Sequence, residues 1–179
     1  MKRFALTAIG RDRPGIVASV TKVLFEHDCN IEDSSMTRLQ DEFAIILIMT
    51  APDSIDMDSL REELKRIEGL MSLTIHLKEI EEGPAARGPG STHIVSVSGY
   101  DKPGIVHKTA DFLSEWGINI TDLETKIIEG EDRKIYIMFI EVSIPEGMDT
   151  NTMSERLRDL GKSMGVTIEL KPIETYESL

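Results

Sequence analysis

The sequence predicts an α+β protein: two β-α-β-β-α-β units in tandem, each a four-stranded antiparallel sheet with two helices on one face. Three observations carry this. The stretch "GRDRPGIV" (residues 10–17) returns as "GYDKPGIV" (residues 99–106), 89 positions on. The correspondence then continues: Leu24, Glu26, Asn30, Ile31 and Asp33 meet Leu113, Glu115, Asn119, Ile120 and Asp122, and beyond a longer turn in the second copy "MSLTIHLKEI" (71–80) meets "MGVTIELKPI" (164–173) at an offset of 93. End-to-end matching with one gap at a turn marks a duplicated unit. Within each copy the hydrophobic period switches between two and about four in the order strand, helix, strand, strand, helix, strand. That order is the ferredoxin-like fold. The units span residues 1–81 and 92–174, and the Gly- and Pro-rich segment 82–91 reads as a linker.

"RFALTAIG" is a short apolar run closed by glycine, a strand. Pro14 is expected to open the first helix, because a missing N–H is harmless in a first turn. Ile16, Val17, Val20, Val23 and Leu24, and in the second copy Ile105, Val106, Ala110 and Leu113, fall at helical spacing and predict one apolar face. "NIEDSSMTRLQ" and "FAIILIMTA" are strands joined by a hairpin at Asp41 and Glu42, with "EGED" (129–132) as the second copy's turn. Leu60, Leu64 and Ile67 mark the second helix behind a "DMDS" cap, and "SLTIHLKEI" closes the unit as a strand. The third strand is apolar on both faces. Phe43, Ile45, Leu47 and Met49 alternate with Ala44, Ile46 and Ile48, and Ile137 and Phe139 repeat the pattern. The outer sheet face or the sheet edges are therefore expected to meet another sheet.

Composition narrows the chemistry. An apolar fraction of 40% with 29% charged residues describes a folded globular chain, not a disordered one. The longest apolar run, "FAIILIM", is far short of a membrane span, and the start lacks a signal peptide's core, so the expectation is a cytoplasmic protein without a membrane partner. A net charge of −12 with no basic cluster argues against direct nucleic-acid binding. The single cysteine, Cys29, excludes an internal disulfide and reads as a buried thiol. The four scattered histidines suggest no metal site, and neither metal, cofactor nor catalytic residues are expected. Met36, Met49, Met138 and Met164 read as core filler, and Trp116 as a packing anchor.

The repeated motif lies where the first strand hands over to the first helix. Helix-entry N–H groups lack internal partners and favour a carboxylate. Gly15 and Gly104 strip this entry of a side chain, and Asp12 and Asp101 could face an ammonium group. Asn30 and Asn119, opening the second strand, offer a donor and an acceptor that a partner copy could bring opposite the loop. The groups suit a small zwitterion. An ordinary helix start would use the same residues, so this reading and a purely structural one stand side by side.

Gly-x-Asp-Arg/Lys-Pro-Gly-Ile-Val, followed some dozen residues later by Asn-Ile opening a strand, resembles the ACT domain across nearly the whole chain. The resemblance implies βαββαβ modules that pair and bind amino acids or other small effectors between modules. It places Asp12, Arg13, Pro14, Gly15, Ile16, Val17, Asn30 and Ile31 at one effector site, and Asp101, Lys102, Pro103, Gly104, Ile105, Val106, Asn119 and Ile120 at a second. It further implies a non-catalytic regulator, self-associating as a homodimer, that controls a partner such as a transcriptional regulator by protein contact. Two alternatives remain open: a pure protein–protein adaptor without ligand, and a small hydrolase. The hydrolase is disfavoured because Arg11 and Arg13, which could cradle a phosphate, become Tyr100 and Lys102 in the second copy.

Overall fold

A computed structural model describes residues 1–81, 90–129 and 133–173. The chain divides into two compact units, Met1–Pro84 and Ala85–Leu179. The first contains β1 (Lys2–Arg11), α1 (Ile16–Glu26), β2 (Asn30–Leu39), β3 (Glu42–Ala51), α2 (Met57–Met71) and β4 (Leu73–Glu79). The second contains β5 (Gly90–Tyr100), α3 (Ile105–Glu115), β6 (Asn119–Glu129), β7 (Lys134–Pro145), α4 (Thr150–Met164) and β8 (Val166–Pro172). The sheet orders are β2-β3-β1-β4 and β6-β7-β5-β8, antiparallel throughout. This is the ferredoxin-like arrangement, twice. Most of the expected linker and the tip of the second hairpin lie outside the described residues, while Gly90 and Ser91 already belong to β5.

Alternation decides which face is core. Phe4, Leu6 and Ala8 of β1 and Phe43, Ile45, Leu47 and Met49 of β3 pack with Ile16, Val20, Val23 and Leu24 of α1 and Leu60 and Leu64 of α2. Each large side chain so buried contributes about 1.5–3 kcal/mol relative to exposure. The second unit repeats this with Val95, Val97, Met138, Ile140, Leu113, Met153 and Leu157. Asp56 and Asp149 cap α2 and α4, each accepting two backbone N–H bonds at 3.1 Å. Trp116 stacks on Phe112 with ring centroids 5.7 Å apart.

Several expectations require correction. Neither Pro14 nor Pro103 begins a helix: α1 and α3 start two residues later, with Gly15 and Gly104 as N-caps at φ 94° and 97°. Those angles fit the second corner of a type II turn, for which Pro followed by Gly is the expected pair, so the proline shapes the turn. Val17 and Val106 stand exposed, because residues 16, 20, 23 and 24 already fill the inward stripe and position 17 is turned some 100° from position 16. Met36 is exposed as well: every residue of the edge strand β2 is, since no helix reaches over it. Cys29 is only half-buried. On the outer sheet faces Ile46 and Phe139 are 45% and 48% exposed, so the apolar third strand keeps an open side in each unit.

Candidate functional site

The motif builds the same small structure in both units. Asp12 donates its backbone N–H to Asp41 O at 2.7 Å, and Asp101 donates its own to Lys134 O at 3.1 Å, so each loop is tied to the neighbouring β-hairpin. The chain then turns at Pro14-Gly15 or Pro103-Gly104 and enters the helix with no side-chain cap. The first amides of α1 and α3 therefore point outward without an intrahelical partner. A Cβ on Gly104 would meet no atom within 4 Å, and one on Gly15 only Met71 Cε at 3.8 Å. Both entrances are open, and the positive φ, not crowding, is what calls for glycine.

The first glycine of the motif has a different cause. A Cβ on Gly10 would lie 2.7 Å from Ser72 O, and one on Gly99 2.7 Å from Val166 Cγ1. Gly10 and Gly99 thus let β1 and β5 pass under the start of β4 and β8. Duplication was the sequence signal for these positions, but only packing shows their task.

Other side chains of the motif are engaged within the unit. Arg13 Nη2 donates to Leu70 O in the last turn of α2 at 2.9 Å, where a cation complements the helix dipole. Lys102 Nζ lies 3.5 Å from the position a Gly165 Cβ would take, at the equivalent end of α4. Asp12 faces Arg38 Nη1 of β2 at 3.5 Å. Ile16 and Ile105 are buried, so only their backbone faces the entrance, while Val17 and Val106 flank it from outside. Leu70 and Met71, which the sequence reading did not single out, border the first entrance. Near the second, burial pushes the Tyr136 phenol above its ordinary value, opposed by a bond with Thr125, and the Asp101 carboxylate adds to the rise.

Asn30, Ile31, Asn119 and Ile120 are not part of this cluster. Asn30 sits beside Thr50 in the β2–β3 ladder, whereas the motif end of the sheet is at Glu42, eight positions along β3 and roughly 27 Å away at ~3.4 Å per residue. Asn119 is likewise at the far end, opposite Ser143. Both strands carry a β-bulge directly after the Asn-Ile pair, between Ile31 and Asp33 and between Ile120 and Asp122. The bulged Glu32 pairs with Arg3 Nε at 2.8 Å, and Thr121 donates to Glu141 at 2.8 Å. No sequence signal announced the bulges. One unit therefore holds the two halves of the expected site at opposite ends of its sheet.

Among the described residues no group of three or more His, Cys, Asp or Glu is placed to hold a metal ion. No described helix is long and apolar enough to cross a membrane.

A βαββαβ unit whose first turn carries this open helix entrance defines a small modular regulatory fold, and here it occurs twice. The chain belongs to the ACT-domain family: ACT-domain models match residues 2–78 and 93–147. Over 158 residues it is 27% identical to the glycine cleavage system transcriptional repressor of Escherichia coli K12, covering 87% of this chain and 82% of that one. The UPF0237 protein MK1213 of Methanopyrus kandleri is 46% identical over 67 residues, 37% of this chain and 74% of its own. Among solved structures, an unknown protein from Galdieria sulphuraria superposes with a TM-score of 0.79 at 23% identity, covering 97% and 99% of the two chains. A crystal structure provisionally assigned as a glycine cleavage system transcriptional repressor gives 0.71 at 22% identity, covering 97% and 98%. At these identities the superpositions speak for the fold.

Proposed function

We propose that this chain is a non-catalytic regulator that binds a small effector, an amino acid, between ACT modules and thereby controls a partner protein. The observation that carries this is the split site. Each unit presents an open helix entrance at one end of its sheet and an exposed Asn at the far end of a free edge strand. Two such edges paired antiparallel about a two-fold axis would set Asn30 of one module beside the Leu39 end of the other, where the entrance lies. Effector carboxylate on helix amides, and ammonium on Asp12 or an Asn30 carbonyl, would then bridge the two modules. A ligand made complete only by pairing stabilises the pair, and coupling of ~1–3 kcal/mol changes a partner's affinity up to about a hundred-fold.

The relationship to a transcriptional repressor supports a transcriptional regulator as that partner, and the net charge of −12 supports action through protein contact. The test is a thermal-shift panel of the common amino acids on wild type and on Asn30→Ala and Asn119→Ala, whose side chains are exposed. One or two compounds should stabilise wild type, by about 2.7 kcal/mol at a hundred-fold excess over Kd. At least one variant should lose that gain. No stabilisation by any compound, together with no heat in calorimetric titration, would replace this reading with that of a ligand-free adaptor.

A further inference from the structure

The outer edges of β4 and β8 are closed at one equivalent position by two different means. Glu68 of α2 and Gly161 of α4 correspond at the offset of 93 that relates the second halves of the units. In the first unit Ile75 donates its backbone N–H to Glu68 Oε1 at 2.6 Å. Ile75 stands opposite Ala8 in the β1–β4 ladder. In an antiparallel ladder every second residue turns its N–H and C=O away from the neighbour, so this amide belongs to the open side of β4. Glu68 thus occupies the middle of the one row of backbone groups that β4 could offer to another strand.

In the second unit the helix itself takes that place. Gly161 is buried, and a Cβ there would lie 2.8 Å from Val166 O and 3.2 Å from the backbone N of Ile168, the counterpart of Ile75. The missing side chain lets α4 settle against the β8 edge. Open sheet edges are templates for further strands, and covering helices or inward-turned charges are the known ways of closing them. On the opposite edges, β2 is exposed along its whole length and β6 almost so. Among the described residues, the side-chain bond to the β2 backbone is a local one, from Ser34 N–H to Asp33 Oδ1 at 2.8 Å.

We infer that Glu68 and Gly161 confine edge-to-edge association of this chain to β2 and β6 by shutting β4 and β8 to a strand of a second copy. A unit open on both edges would add neighbours on each side, and such contacts generate open-ended filaments instead of a closed assembly. The inference shares the β2 and β6 edges with the proposed function but needs no ligand, so it can fail while effector binding stands, and the reverse.

Sedimentation across a range of protein concentrations tests it, together with amide exchange at Ile75. Wild type and Glu68→Gln, which keeps an acceptor, should reach a fixed mass. Glu68→Ala should exchange the Ile75 amide about tenfold faster, as loss of one hydrogen bond implies, and gain mass without a plateau. Gly161→Ala, which forces α4 off β8, should likewise gain mass without a plateau, and it decides the matter if Glu68→Ala does not fold. A Glu68→Ala protein with a freed Ile75 amide and the wild-type plateau would overturn the inference. So would an Ile75 amide whose exchange does not change, or a wild-type protein that itself grows without limit.

Discussion

Replacing the motif glycines one at a time separates strain from crowding. Gly104 has φ 97° and ψ −5°, and a Cβ there meets nothing within 4 Å. Gly104→Ala therefore suffers only the left-handed backbone, about 1–2 kcal/mol. Gly104→Asn should cost clearly less, because asparagine enters that region more readily. Gly99 has no positive φ, but a Cβ there lies 2.7 Å from Val166 Cγ1, 3.0 Å from its Cβ and 3.1 Å from its Cα. Since the last contact is backbone, β8 must shift, and overpacking of this kind costs about 1–3 kcal/mol. Here Gly99→Asn should be worse than Gly99→Ala, the reverse of the order at Gly104. The chain has a single tryptophan, Trp116, stacked on Phe112 in the second unit, so its fluorescence during urea denaturation reports that unit alone. If Gly104→Asn proves as damaging as Gly104→Ala, or if Asn is tolerated at Gly99, the division into a strained glycine and a crowded one is wrong.

The remaining predictions concern the supports of the site. Arg13→Met removes the bond to Leu70 O and should lower the first unit's stability by about 0.3–1 kcal/mol, seen in its calorimetric transition. The Thr152 hydroxyl, followed by the Thr152 and Asn151 backbone N–H groups, holds the Asp149 carboxyl below its ordinary value. Its contribution is therefore present above the unfolded value of about 3.9 and lost as pH falls through the lower folded one. Asp149→Ala should accordingly melt earlier than wild type at pH 7, and the gap should narrow under strong acid. Met138 is fully buried, and Met138→Ala should cost about 2–5 kcal/mol in the Trp116 transition. Burial and then the Asp28 charge push the Cys29 thiol up, so at mildly alkaline pH it should react with alkylating reagents more slowly than a free cysteine.

The residues by themselves determined the duplication, the order of elements and the inward face of each strand, because these rest on local periodicity and on matching positions within one chain. Asp56 could be read as a cap for the same reason: a cap spans three residues. Tertiary structure decided what crosses the sheet. That Gly10 serves Ser72 and Leu73, that Arg13 is engaged with Leu70, and that Glu68 and Gly161 do one job by opposite means depend on contacts between segments 7 to 63 residues apart or on the closeness of a helix to an edge. It also fixed Asn30 at the far end of the sheet from Gly15, because α1 carries the chain back along the sheet before β2 starts, parallel to β1. Adjacency in a motif is a property of sequence. The separation of its two halves is a property of strand direction, which only the folded sheet fixes.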